Sequence, residues 1–291
     1  MREIKEGFIP FKGYKTYYRI VGKCDEGKSP LLALHGGPGA AHDYLESLDP
    51  IADTGRAVVY YDQIGCGKSP TPSMPDFWCT ELWEEELDVV REALGLKSVH
   101  ILGQSWGGML AMQYATHHPK GVKSMIVASS PSSTALWLKE ANRLRTYLPQ
   151  DMQEALIQAD NDGDYSRPEV VAASDEYYRR HVIKLDPQPD FVIRSMSQMG
   201  EPYMVMQGAS EFVMTGKLKD WDITDELKNI DIPTLVTSGS ADEATPYISK
   251  VIYDRIPDCQ WELFDGGTHL CHVEMAEEYN AVVEAFMAAH D

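Results

Sequence analysis

Ser105 stands between Gly103 and Gly107 in Gly-Gln-Ser-Trp-Gly, the G-x-S-x-G spacing associated with a serine nucleophile. The pentapeptide alone is a weak signal, and its position gives it meaning. It follows the apolar run VHIL at 99–102 and precedes a helical pattern. Glycine on both sides permits a sharp strand-to-helix turn that exposes the hydroxyl, and the helix N-terminus favours negative charge nearby. The plainer alternative is a glycine-rich turn whose serine only caps the helix.

A serine hydroxyl attacks only when a base removes its proton. In a strand–turn–helix setting of this kind the acid and the histidine follow the serine in chain order, each after a strand. The run IPTLVTS at 232–238 leads into GSADEATP, which offers Asp242 and Glu243. The run QWELF at 260–264 leads into DGGTHLCH, which offers His269 and His272. His269 directly follows the Gly-Gly-Thr turn and is preferred as the base; Asp242 is preferred as the acid that orients it. The expected oxyanion donors are the backbone N–H groups of Gly37, in HGGPG after the run LLAL, and of Trp106, the residue after the nucleophile. His100, His117 and His118 read as structural or surface residues.

These groups need a sheet to bring them together. Apolar runs at 14–21, 31–34, 57–61, 99–102 and 124–128 alternate with helical patterns at 78–94 and 109–117. That rhythm predicts an α/β fold with a mostly parallel sheet and helices on both faces. From about 133 to 219 the chain turns helical and polar, and the sheet pattern resumes at 232 with a last helix expected over 274–289. The expected organisation is a core of residues 1–132 and 220–291 with an inserted helical lid, or cap, over 133–219.

Length allows one large α/β domain or about two of ordinary size: 291 residues against roughly 150 per domain. A formal charge of −19 repels nucleic-acid phosphates and anionic membrane surfaces, so neither is an expected partner. No run approaches the ~18 apolar residues of a membrane span, and MREIKEGFIP lacks the apolar stretch of a signal peptide. The five cysteines include no C-x-x-C pair and are expected as free thiols in a reducing cytosol, which places the protein in the cytoplasm. Cys66 and Cys271 are expected near the site, where alkylation would obstruct it. No metal-ligand spacing or dinucleotide fingerprint occurs, so no metal and no cofactor is expected.

HGGPG at 35–39, YDQIGCGKS at 61–69, GQSWGG at 103–108, SGSADEATP at 238–246 and GGTH at 266–269 together resemble the prolyl aminopeptidase (proline iminopeptidase) family of α/β-hydrolase serine peptidases, over essentially the whole chain. The resemblance implies release of an N-terminal residue, preferably proline, from short peptides. It further implies that Glu211 in GASEFVMTG and Glu243 hold the substrate's free α-amino group, which is largely cationic at neutral pH with a pKa of about 8. The implied partner is therefore a small peptide or amino acid amide with a free N-terminus. Trp106 is expected to wall the ring of a bound proline, with Trp137, Phe191 and Tyr203 as further aromatic candidates. Ile64 and Gln104 depart from the commoner arginine and glycine of the family pattern.

Two other functions compete. An amino acid amidase or carboxylic ester hydrolase would use the same triad and differ only in leaving group. A silent hydrolase fold acting as a receptor would be expected to lack a triad member, whereas all three candidates are present. Epoxide hydrolase and dehalogenase chemistry would require a carboxylate where Ser105 stands.

Overall fold

A computed structural model describes residues 2–291. Eight strands form one sheet: β1 (Ile4–Phe11), β2 (Tyr14–Val21), β3 (Leu31–Leu34), β4 (Val58–Tyr61), β5 (Val99–Gln104), β6 (Val122–Ala128), β7 (Thr234–Gly239) and β8 (Cys259–Phe264). Their spatial order is β1-β2-β4-β3-β5-β6-β7-β8. The hairpin β1–β2 and the pair β2–β4 are antiparallel; all other pairings are parallel. This is the mostly parallel α/β sheet expected from the alternating pattern.

The helices are α1 (Thr80–Ala93), α2 (Trp106–Ala115), α3 (Thr134–Arg145), α4 (Gln150–Asp162), α5 (Pro168–His181), α6 (Asp190–Met196), α7 (Glu201–Met206), α8 (Pro246–Tyr253), α9 (Cys271–Glu274) and α10 (Ala276–Ala288). β3, β4, β5 and β7 are buried along their whole length, which explains their unbroken apolar runs. Successive residues point to opposite faces. Leu32, Val59 and Ile101 pack with Trp83, Leu87 and Leu110 of α1 and α2. Leu31, Val58 and Leu102 pack on the other side with Tyr279 and Val283 of α10. Helices α3 to α7 all fall between β6 and β7 in the chain. They carry an apolar cluster of their own, including Trp137, Leu156 and Tyr177, which reaches Ala244 in the loop after β7 and Ile248 of α8.

Three elements differ from the sequence expectation. β1 carries no clear strand period, because only Ile9 and Phe11 of its eight residues are buried at this sheet edge. A 3₁₀ segment, His42–Thr54, has no counterpart in the sequence expectation; Pro50 lies inside it and breaks the α-helical signature. The single helix expected at 274–289 is two, α9 and α10, separated at Met275.

Candidate active site

Parallel strands deliver their following loops to one edge, where ligands of open α/β sheets bind. Four such loops converge here: HGGPG after β3, Ser105 after β5, Asp242 and Glu243 after β7, and His269 after β8. β3 and β5 are direct neighbours, with Leu34 opposite Gly103, so the HGGPG loop and the serine turn share one corner.

Ser105 has φ 55° and ψ −121°, a left-handed backbone that an L-residue adopts at a cost of about 1–3 kcal/mol. Packing holds it there. A Cβ on Gly103 would come within 2.1 Å of the Gly107 carbonyl oxygen, and one on Gly107 within 2.1 Å of the Leu34 carbonyl oxygen. Both glycines therefore let β5, α2 and β3 touch backbone to backbone. Ser105 is the one residue of the stretch 101–112 that is not buried.

The acid and histidine loops are joined in the same way. Ala241 N–H donates to the Gly267 carbonyl at 2.9 Å, and a Cβ on Gly239 would meet that carbonyl oxygen at 2.1 Å. His269 Nδ1 lies 2.8 Å from Asp242 Oδ1, which also accepts the Ala244 N–H at 2.7 Å. Nε2 therefore faces away from Asp242. It makes no hydrogen bond to Ser105, but both residues line one cavity of about 420 Å³. His272 belongs elsewhere: its ring packs against Tyr44 and Tyr279, and burial with the nearby His269 pushes its pKa down to about 3.

Gly37 and Trp106 line the same cavity, and among the described residues neither N–H has an acceptor. Gly37 has φ 116°, and a Cβ there would strike Gly39 N at 2.3 Å. The loop is braced from below. His35 Nδ1 donates to the Gly36 carbonyl at 2.9 Å, while its Nε2 accepts the Gln63 N–H at 2.9 Å. Gln63 Nε2 donates to the His35 carbonyl, and Gln63 Oε1 accepts the indole N–H of Trp106, both at 2.8 Å. HGGPG, the Asp-Gln pair and the residue after Ser105 are thus one hydrogen-bonded unit.

Glu211 and Glu243 open into the cavity from different parts of the chain. Both oxygens of Glu211 are held, by Tyr203 O–H at 2.6 Å and Gln207 Nε2 at 2.8 Å. Glu243 is 5% exposed; its Oε1 lies 3.8 Å from His269 Nε2, and its Oε2 is buried without a partner. Burial raises both carboxyls above their ordinary range, Glu243 strongly, against the opposing pull of His269. Burial alone would lower His269, but Asp242, Glu243 and Glu211 outweigh it and hold its pKa at about 9.

Two further groups brace the site. Gln104 Oε1 accepts Tyr44 O–H at 2.6 Å, Tyr44 in turn accepts Gly36 N–H at 2.7 Å, and Gln104 Nε2 reaches the His269 carbonyl at 3.2 Å. The side chain before Ser105 therefore ties the HGGPG loop to the histidine loop. The His181 carbonyl, at the end of α5, accepts the N–H of both Glu243 and His269, at 3.2 and 3.0 Å. No local sequence signal marks that junction.

Other expectations sort as follows. Trp106, Trp137 and Tyr203 line the cavity; Phe191 instead packs beside the α10 cluster. Cys66 and Cys271 lie beside site elements, Cys271 within reach of the Asp242 charge, but both thiols are buried and neither lines the cavity. His117 and His118 are exposed and paired with acids, and His100 is buried against Ser124 and Asp291. His42, Asp43 and Glu46 could converge on a cation, but His42 is bonded to Asp62, and the two acids are bonded to Arg194.

The α/β hydrolase fold family matches residues 29–276. The chain is 45% identical to a proline iminopeptidase of Clostridium botulinum over 99% of its own length and 100% of the relative's. The chain belongs to the proline iminopeptidase family. A proline iminopeptidase of Clostridioides difficile is 46% identical, again over 99% of this chain and all of the relative. Among solved structures, a proline iminopeptidase of Mycobacterium smegmatis superposes with a TM-score of 0.92 at 37% identity, covering 98% of each chain. VinJ superposes with a TM-score of 0.95 at 36% identity, covering 99% of each. The family's α/β-hydrolase architecture is the one described above. No helix among the described residues is long and apolar enough to cross a membrane.

Proposed function

We propose that the chain is a serine aminopeptidase that releases an N-terminal residue, preferably proline, from short peptides. The observation that carries this reading is the shared cavity: a left-handed Ser105, the His269 that Asp242 holds, and the carboxylates of a half-buried Glu211 and a buried Glu243 line one volume of about 420 Å³. Relatives named proline iminopeptidase, matched over their whole length, support the substrate class.

In this mechanism Glu211 and Glu243 take the substrate's ammonium group, which would be costly to bury unpaired. Ser105 Oγ attacks the first carbonyl carbon as His269 Nε2 removes its proton. Asp242 holds the Nδ1–H tautomer and stabilises the imidazolium. The oxyanion that forms accepts from Gly37 N–H and Trp106 N–H, each such donor typically worth on the order of 10²–10³ in rate. The leaving amine then takes the proton from His269, and water releases the acyl group by the reverse sequence of proton moves. Helices α3 to α7 serve as the cap, and the five free cysteines agree with a cytoplasmic setting.

The deciding experiment is a panel of aminoacyl-naphthylamides with matched N-acetyl controls. Prolyl-naphthylamide is expected to be turned over fastest, with kcat/KM collapsing on acetylation. Equal rates on free and acetylated substrates would remove the ammonium subsite. Preference for prolinamide or a simple acyl ester would move the assignment to an amidase or esterase.

A further inference from the structure

The imidazole of His269 sits between two carboxylates rather than one. Nδ1 bonds Asp242 at 2.8 Å, and Nε2, the nitrogen required to receive the serine proton, lies 3.8 Å from Glu243 Oε1. A nitrogen in that position is drawn to hold a proton toward Glu243 rather than to accept one from Ser105.

The surroundings sharpen the point. The acid loop presents Asp242 and Glu243, the segment after α7 presents Glu211, and no lysine or arginine lines the cavity. From α9, His272 is held neutral by burial and by its neighbour. From α5 and α7, the phenols of Tyr177, Tyr178 and Tyr203 all have raised pKa values and stay protonated. His181 at the end of α5 turns its Nδ1 to the Ala241 carbonyl, and burial lowers its pKa. Trp137 of α3 packs its ring edge-on at 6.0 Å from His269 and brings no charge. Three carboxyls therefore share one imidazole in a buried space without a fixed cation. The two substrate-facing carboxyls also differ: Glu211 has both oxygens bonded, whereas Glu243 keeps a buried oxygen with no partner.

We propose that the empty site stores a proton on the Glu243–His269 pair, and that a substrate's ammonium group displaces this proton to solvent, so that His269 becomes a base only once a free N-terminus is bound. The exchange balances: one cation enters the carboxylate cluster and one proton leaves it. The charge of an incoming ammonium satisfies Glu243 and repels an imidazolium, and both effects empty Nε2. As coupled groups, the pair titrates as a unit. Selection of free N-termini then acts on kcat as well as on binding, because an N-blocked substrate meets a base that is already protonated. The proposal rests on the aminopeptidase reading above and adds the proton exchange to it.

The test is calorimetric titration of the native chain with pyrrolidinium, a non-reacting cation that stays charged across the neutral range. It is run near neutral pH in buffers of contrasting ionisation enthalpy, with tetrahydrofuran as the uncharged control of the same shape. Expected is release of about one proton per pyrrolidinium and none with tetrahydrofuran. In the same protein, pyrrolidinium is expected to lower the proton affinity of His269 by about tenfold or more, read from its imidazole NMR signals. Glu243→Gln is expected to release less than half as much proton. Binding of pyrrolidinium with buffer-independent heat, or with an unmoved His269 titration, overturns the exchange and leaves the ammonium subsite standing. Failure of pyrrolidinium to bind at all overturns both. Undiminished release in Glu243→Gln overturns the assignment to that carboxylate.

Discussion

The carboxyl edge of the sheet and the helical insertion supply the same cavity by different physical means. At the sheet edge Ser105, Asp242 and His269 each lie within a few residues of a strand end, and backbone contact fixes them. Gly103, Gly107 and Gly239 sit where a Cβ would come within 2.1 Å of another chain segment's carbonyl. The insertion's contribution, Glu211, lies in an irregular stretch after α7 and is held by the side chains of Tyr203 and Gln207. Main-chain packing thus places Ser105, Asp242 and His269, and side-chain hydrogen bonds place Glu211. The two meet at the His181 carbonyl, which carries both Glu243 and His269 on α5.

The comparison can be broken first at Ser105. Ser105→Ala is expected to keep the melting temperature within a few degrees and to lower kcat by on the order of 10⁵–10⁶. Labelling by a fluorophosphonate, mapped by mass spectrometry, is expected at residue 105 in the native chain and to vanish in the variant. Substantial turnover in pure variant would show that the sheet edge does not supply the nucleophile.

On the insertion side, Glu211→Gln is expected to lower kcat/KM on prolyl-naphthylamide by about 10²–10³, because a buried ammonium loses a charged partner. The loss on an acyl ester without an amino group is expected to be at least about tenfold smaller by the same reasoning. Equal losses on both substrates would mean that the insertion acts on the chemistry itself.

The pH dependence separates the two regions without mutation. Because a base must be unprotonated to act, and His269 is held at about 9, kcat/KM on a neutral ester should rise through neutrality and level off only near that value. For stability the sign is opposite. The raised His269 pKa contributes fully below its unfolded value of about 6.5, and that contribution is lost as pH rises toward the folded value. A rate profile already flat at neutral pH would show that the acids around His269 do not hold its proton.

Smallest is the effect of the brace between the loops. Gln104→Ala removes bonds to Tyr44 and to the His269 carbonyl, which should lower kcat by roughly tenfold, the size of one or two buried hydrogen bonds. KM should change less than kcat. A change confined to KM would place Gln104 in binding rather than in alignment.

Much of the sheet edge was readable from residue types. The serine turn needs glycines at fixed offsets, and HGGPG, Asp242 and His269 each follow a strand, so local rules named them in order. What local rules missed has a common cause. β1 is half-exposed, the 3₁₀ segment contains Pro50, and neither carries a strong period. Phe191, Cys66 and Cys271 all fall near site elements in the chain, yet none lines the cavity, because chain proximity does not say which face a side chain takes.

The sequence alone determined the chemistry available and the edge of the sheet at which it would gather, because glycine spacing, strand periodicity and chain order are local properties. Only the tertiary structure decided that Gln63 links HGGPG to Trp106, that Gln104 links it to His269, and that Glu211 and Glu243 face one imidazole. Those relations join residues far apart in the chain. The first two are set by how the loops of neighbouring strands pack at the sheet edge and the third by where the insertion settles on it, which no window of sequence contains.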